Sequence, residues 1–190
     1  MKPKIQPVLI SPCPYPTNIC LTRACHENLR SRFQVEKAER RYCAEIMKGM
    51  DPKVIYIAGP LFDEGERWWI EKIEATVAQA GFKTFLPHRD NPEKTPDTVQ
   101  EIFENNRDAI LSADLIVANL NGITTDDGTA WELGYAAALQ KPSIGIFTDW
   151  RARFEGEEIV NLMISRSLDR IVRSLDELVA ALIEWNIGKE

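Results

Sequence analysis

The sequence predicts an α/β domain whose parallel sheet is flanked by helices. Short apolar runs of strand length recur from Lys53 onward, and a helical stretch with an apolar stripe follows most of them. Such alternation implies right-handed crossovers, hence parallel neighbouring strands. Size and composition agree: 190 residues, 44% hydrophobic and 27% charged, suit one globular α/β domain and are short for two.

Val54-Ile55-Tyr56-Ile57-Ala58 reads as a buried strand ended by a turn at Gly59-Pro60. Trp68, Trp69, Ile73 and Val77 form one helical stripe, with Gly81 as the stop. Phe82 to Leu86 is the second strand, closed by Pro87. After a polar loop, Thr95-Pro96 reads as an N-cap and first helical residue, and the helix runs through Ile102, Phe103 and Ile110 to about Ser112. Leu115-Ile116-Val117-Ala118 is the third strand, and Asn121 to Thr129 a polar loop. A helix over Trp131 to Leu139 and a strand over Ser143 to Phe147 follow. Ser174 and Glu177 have the spacing of a capping box for a last helix, Leu175 to about Trp185. In such a sheet ligands bind beyond the carboxyl ends of the strands, so the turn after the first strand, the loop after Leu120 and the segment after Thr148 share one functional rim.

Residues 1–50 differ in character from 51–190 and form an expected extension to the α/β domain. Pro3, Pro7, Pro12, Pro14 and Pro16 exclude helix at the start, while Glu27 to Met47 reads as one helix with a solvated, locally basic face. All four cysteines, Cys13, Cys20, Cys25 and Cys43, lie here and none follows. Their spacing lacks the C-x2-C unit of common zinc modules. We expect them to act together, holding a structural [4Fe-4S] cluster or zinc, with disulfides ranked lower and free thiols still open. The net charge of −6 argues against a dedicated nucleic-acid binder. No apolar run is long enough to span a membrane, and no apolar region follows the N-terminal Met-Lys-Pro-Lys as a secretory signal requires. A cytoplasmic protein acting on a small molecule is expected.

The loop Thr124-Thr125-Asp126-Asp127-Gly128-Thr129-Ala130-Trp131-Glu132 carries the chemistry. Asp126 and Glu132, at the mouth of a helix on the rim, suit the proton donor and nucleophile of glycosidic cleavage, although the same residues also suit an N-cap and an ordinary first-turn Glu. Tyr56 reads either as a core aromatic or as a hydroxyl reaching a rim carboxylate. Gly59-Pro60 reads as a tight turn of the kind that lets a ligand approach the backbone, although the dipeptide alone carries little specificity. No Gly-x-Gly-x-x-Gly or Walker sequence is present. His26 and His88 suggest no Ser-His-Asp arrangement, and His88 reads as a loop residue.

Tyr56-Ile57-Ala58-Gly59-Pro60-Leu61-Phe62, Ala113 to Ala118, and Asp126-Asp127-Gly128-Thr129-Ala130-Trp131-Glu132-Leu133-Gly134-Tyr135-Ala136 occur in that order, extended by Lys141 to Ile146 and by Asn161-Leu162-Met163. Together they resemble the nucleoside 2-deoxyribosyltransferase family over roughly residues 53–185. The resemblance implies a single flavodoxin-like or Rossmann-like domain. It implies that Glu132 is the nucleophile attacking C1′ of a 2′-deoxynucleoside, that Asp126 is a proton source for the departing base, and that the Tyr56 hydroxyl orients Glu132. Gly59, Phe62, Asn106, Asn161 and Met163 would contact substrate, the last two by reaching a neighbouring subunit's site, so a homo-oligomer of at least two copies is implied. Where the family often has Asp, this chain has Asn106, which can hydrogen-bond a base but cannot deliver a proton. Transfer of 2-deoxyribose between nucleobases is therefore the expected activity, with no cofactor in the chemistry. Hydrolysis of a deoxynucleoside or its 5′-monophosphate is the alternative, with Arg151 or Arg153 as phosphate donors. A non-catalytic nucleotide-sensing module is the third reading.

Overall fold

In β1 (Val54–Ala58), the period of two along a strand sends Ile55 and Ile57 to one face of the sheet and Tyr56 and Ala58 to the other. This separation organises the domain. The computed structural model describes residues 52–149, 151, 153–154, 157–158 and 160–188. They belong to the second of two units, Tyr42–Glu190; the first, Met1–Arg41, lies outside the described residues.

β1 is followed by α1 (Glu64–Gln79), β2 (Lys83–Phe85), the single-turn α2 (Pro87–Asp90), α3 (Val99–Ser112), β3 (Leu115–Asn119), α4 (Asp127–Ala138) and β4 (Ser143–Ile146). A two-residue ladder, β5 (Arg153–Phe154) with β6 (Glu157–Glu158), precedes α5 (Leu162–Ser167), β7 (Arg170–Val172) and α6 (Leu175–Ile187). The main sheet has the order β2-β1-β3-β4-β7, parallel throughout. Among the described residues no helix is long and apolar enough to cross a membrane.

One face of the sheet buries Ile55, Ile57, Leu115, Val117, Ile144 and Ile146 against Ile70, Ile73 and Val77 of α1 and Leu178 and Leu182 of α6. The other buries Tyr56, Ala58, Ile116 and Ala118 against Ile110 of α3 and Leu133 and Ala136 of α4. Each fully buried Ile or Leu contributes roughly 1.5–3 kcal/mol against the entropy of ordering the chain.

The strands and helices expected from Lys53 onward are present, with local corrections, while the helix expected over Glu27 to Met47 lies outside the described residues. β7 is an unforeseen fifth strand: three residues starting with an exposed Arg170 carry too little apolar signal to read as one. β2 is shorter than expected, because Phe82 precedes the ladder and Leu86 turns into α2. α2 also takes up His88, which meets Glu71 at 3.2 Å. Thr95 does not cap α3. The helix begins at Val99, and the Thr98 hydroxyl is turned back to accept from Thr95 N and to donate to the Glu93 carbonyl. At α6 the Ser174 cap forms, but Glu177 Oε2 accepts from Arg173 N, one residue short of a reciprocal box. Gly81 ends α1 in the left-handed region, φ 97°, where a glycine is least strained.

Candidate active site

Tyr56, in the middle of β1, is fully buried and points toward the α3 and α4 side. Phe85, opposite it on β2, stacks on its ring at 5.5 Å and 11°. Held on that side, the phenol donates to Glu132 Oε1 at 2.5 Å. The open choice between core aromatic and reaching hydroxyl thus resolves into both: the ring packs and the hydroxyl leaves the core.

Glu132 is in the second turn of α4, because the helix starts at Asp127 rather than at Trp131. Asp126 is the N-cap; its Oδ2 accepts from Thr129 N at 2.8 Å and from the Thr129 hydroxyl at 3.0 Å. Capping satisfies one of the helix's free N–H groups and directs the Asp126 carboxyl back over the first turn. Burial pushes the Glu132 carboxyl from its ordinary 4.5 up to about 7, the Tyr56 hydrogen bond pulls it down, and the nearby Asp126 charge adds to the rise. The Tyr56 hydroxyl is pushed far above its usual range, mainly by burial and then by the Glu132 charge. Tyr56 therefore stays a neutral donor, while Glu132 is poised to hold or lose its proton near neutrality.

The remaining expected residues surround this pair less closely. Gly59 closes β1, and a Cβ there would stand 2.5 Å from Ile70 Cδ1 and 3.0 Å from Asn119 Cβ. The packing of the turn between α1 and β3 accounts for this glycine without a ligand. Phe62 is exposed in the loop before α1, its N–H donating to Glu66 Oε2. Asn161 caps the short α5 by accepting from Met163 N at 2.9 Å, and Met163 is exposed. Asn106 lies on α3, where its Oδ1 accepts from Asn91 Nδ2 at 2.6 Å. Arg151 is held by Asp149, through Nε and Nη2, and this contact keeps the Asp149 carboxyl down at about 2. The Arg153 side chain and Cys13, Cys20, Cys25 and Cys43 lie outside the described residues.

Three features of the rim were not foreseen. Phe85 supports the Tyr56 ring, Asn91 reaches Asn106, and Asn121 braces the loops after β3 and β4 by bonding Thr148 through both amide atoms. For Asn121 the available signal is its place just past the end of β3, since strand ends form the rim; Asn91, which follows α2, carries no such signal.

The profile of the nucleoside 2-deoxyribosyltransferase family matches residues 55–163, which include Tyr56, Asp126, Glu132, Asn161 and Met163. The chain belongs to that family. Among solved structures it is similar to a 2-deoxyribosyltransferase of Bacillus psychrosaccharolyticus, with 27% identity and a TM-score of 0.58 over 66% of this chain and 90% of the other. It is also similar to a 2-deoxyribosyltransferase of Leishmania mexicana, with 29% identity and a TM-score of 0.54 over 70% of this chain and 98% of the other. An uncharacterized protein of Ureaplasma parvum is 32% identical over 56% of this chain and 77% of its own length. The family is enzymatic, acting on nucleosides and nucleobases, and its fold is the one described above.

Proposed function

We propose that this family member transfers 2-deoxyribose between nucleobases through a covalent ester on Glu132. The observation that carries the reading is the 2.5 Å hydrogen bond from Tyr56 to Glu132 Oε1, which fixes one carboxylate oxygen and leaves Oε2 to react. In the first displacement Oε2 attacks C1′, the C1′–N bond breaks, and the base departs with the electron pair. Asp126 at the helix entry is assigned the proton that neutralises the base. In the second displacement a ring nitrogen of the incoming base attacks C1′, the Glu132–C1′ bond breaks with its electron pair returning to the carboxylate, and the Asp126 carboxylate takes up the proton that the base gives up. Two inversions give net retention. Buried against one donor, the carboxylate meets the positive charge developing on the sugar where water screens it little.

The polar caps of the rim favour a nucleoside over its 5′-monophosphate. At α1, Asp63 accepts from Glu66 N, and Glu66 accepts from Phe62 N and Asp63 N, so acidic groups fill the N-terminus that would otherwise suit a phosphate. At α4, Asp126 does the same. Arg151, one of the two arginines considered for a phosphate, is engaged by Asp149. We assign Asn161, Met163 and the exposed Leu162 beside them to closing the site of a neighbouring copy.

Incubation with deoxyinosine, with and without adenine, tests the reading. New deoxyadenosine is expected when adenine is present. Hypoxanthine release that ignores adenine makes the protein a hydrolase, and no release from deoxyinosine, thymidine or their monophosphates leaves the reading without support.

A further inference from the structure

Asn91, just past α2, has a side chain that no role in the transfer has yet absorbed. Its Nδ2 donates to the Pro87 carbonyl at 2.9 Å and to Asn106 Oδ1 at 2.6 Å, while its Oδ1 is buried without a partner among the described residues. The orientation of both amides follows from this. A carbonyl can only accept, so Asn91 must turn its NH2 toward Pro87. That NH2 also faces Asn106, so Asn106 must turn its oxygen toward Asn91 and its own NH2 away. Flipping the pair would set the Asn91 oxygen against the Pro87 oxygen. A buried oxygen left unpartnered is uncommon and signals that the orientation is imposed from elsewhere, here by Pro87.

Asn106 lies on the face of α3 that packs toward α4 and the Tyr56 side of the sheet. On α3, Phe103 one turn before it touches Trp131, the neighbour of Glu132, with ring centroids 5.6 Å apart. Ile110 one turn after it is buried in the cluster that contains Tyr56 and Leu133. Residues three and four apart share a helix face, so Asn106 lies between these two contacts.

We propose that Asn91 is a positioning residue that locks Asn106 as a hydrogen-bond donor toward the departing base. The inference rests on the transfer reading above and deepens it. As the C1′–N bond breaks, the electron pair goes to the base and negative charge spreads over its ring nitrogens and carbonyl oxygens. A donor fixed before reaction stabilises that anion at any pH, with no proton transferred by Asn106. The lock favours bases that place an acceptor beside the glycosidic nitrogen. It also gives a physical reason why Asn rather than an acid works on α3.

The test is Asn91→Asp, nearly isosteric but unable to donate to Asn106 Oδ1. The carboxylate that the substitution introduces accepts from Asn106 instead, which turns the Asn106 oxygen toward the base. Base release is measured, with adenine present, from deoxyuridine and deoxyinosine and from their better leaving-group twins, 5-fluorodeoxyuridine and 7-methyldeoxyinosine. A twin that leaves readily needs the donor less, so the variant is expected to widen the rate gap within the faster pair by about tenfold or more. A purely structural role would slow both members alike, and an unchanged gap overturns the assignment whether or not rates fall. If Asn91→Asp does not fold, Asn91→Ala removes the lock on Asn106 Oδ1 without adding a charge, and is read in the same way. Wild-type protein that releases no base from any of the four would instead sink the transfer reading itself.

Discussion

The Tyr56 hydroxyl and the Glu132 carboxylate meet at 2.5 Å although 76 positions separate them in the chain. Strand β1 and helix α4 arrive at this contact from different crossovers. The phenol is anchored by Phe85 and the carboxylate by a helix that Asp126 caps. A half-buried Glu whose one donor among the described residues is neutral is a costly arrangement for stability and a useful one for a nucleophile.

Removing the donor should show its effect on the charge of Glu132. Tyr56→Phe takes away the contact that lowers the Glu132 pKa, leaving the burial that raises it. A hydrogen bond to a charged group is worth about 1.5–3 kcal/mol, so turnover at pH 7 is expected to fall roughly 10- to 100-fold. The acid limb of the rate profile should move to higher pH. Rate profiles of the two proteins from pH 5 to 9 check this, and an unshifted limb counts against the contact's role.

Wild-type activity should itself rise with pH through about 7 as Glu132 ionises. The transferring form is the carboxylate, so activity is low where the proton is held. A profile flat from pH 5.5 to 8.5 would mean that Glu132 does not govern turnover.

Stability should run the other way. Folding raises the Glu132 pKa from 4.5 to about 7, so the folded chain holds more protons between those values, and stability falls as pH rises across that window. Glu132→Gln keeps the shape without the charge. It should abolish transfer and raise the melting temperature relative to wild type at pH 8, with little gain at pH 5; the gain at pH 8 is on the order of 1–3 kcal/mol. Thermal melts at both pH values decide it, and an equal shift at both contradicts the assignment.

How much of this was legible in the sequence differs from element to element. β1, β3 and β4 stood out because each is an apolar run buried on both faces, as central parallel strands are. β7 did not, since three residues beside a long irregular segment carry almost no periodicity. Asp126 is the N-cap that its residue type allows, but Asp127 and Gly128 read as loop, so α4 begins four residues before the expected Trp131 and Glu132 falls in its second turn rather than its first. The candidate catalytic residues could be named from their motifs, but not their contacts. Nothing local to Tyr56 says that its hydroxyl finds Glu132, and nothing local to Asn91 says that it holds Asn106. Both depend on how crossovers bring distant segments together.

Gly59 offers a check on the packing around the turn. Gly59→Ala would push a methyl against Ile70 and Asn119, at 2.5 Å and 3.0 Å. A destabilisation of about 1–3 kcal/mol is expected, from overpacking alone. Denaturant unfolding measures it. A neutral substitution would show that the turn has room and would contradict the packing explanation of this glycine.

The central claim is the ester on Glu132, and trapping it is the most direct measurement. Protein mixed with deoxyinosine in the absence of an acceptor base, quenched in acid and digested, should yield the peptide carrying Glu132 heavier by one deoxyribosyl unit. Adding adenine before the quench should discharge that adduct into deoxyadenosine, and Glu132→Gln should form none. Base release at the full wild-type rate by Glu132→Gln, or an adduct on another residue, would contradict the account.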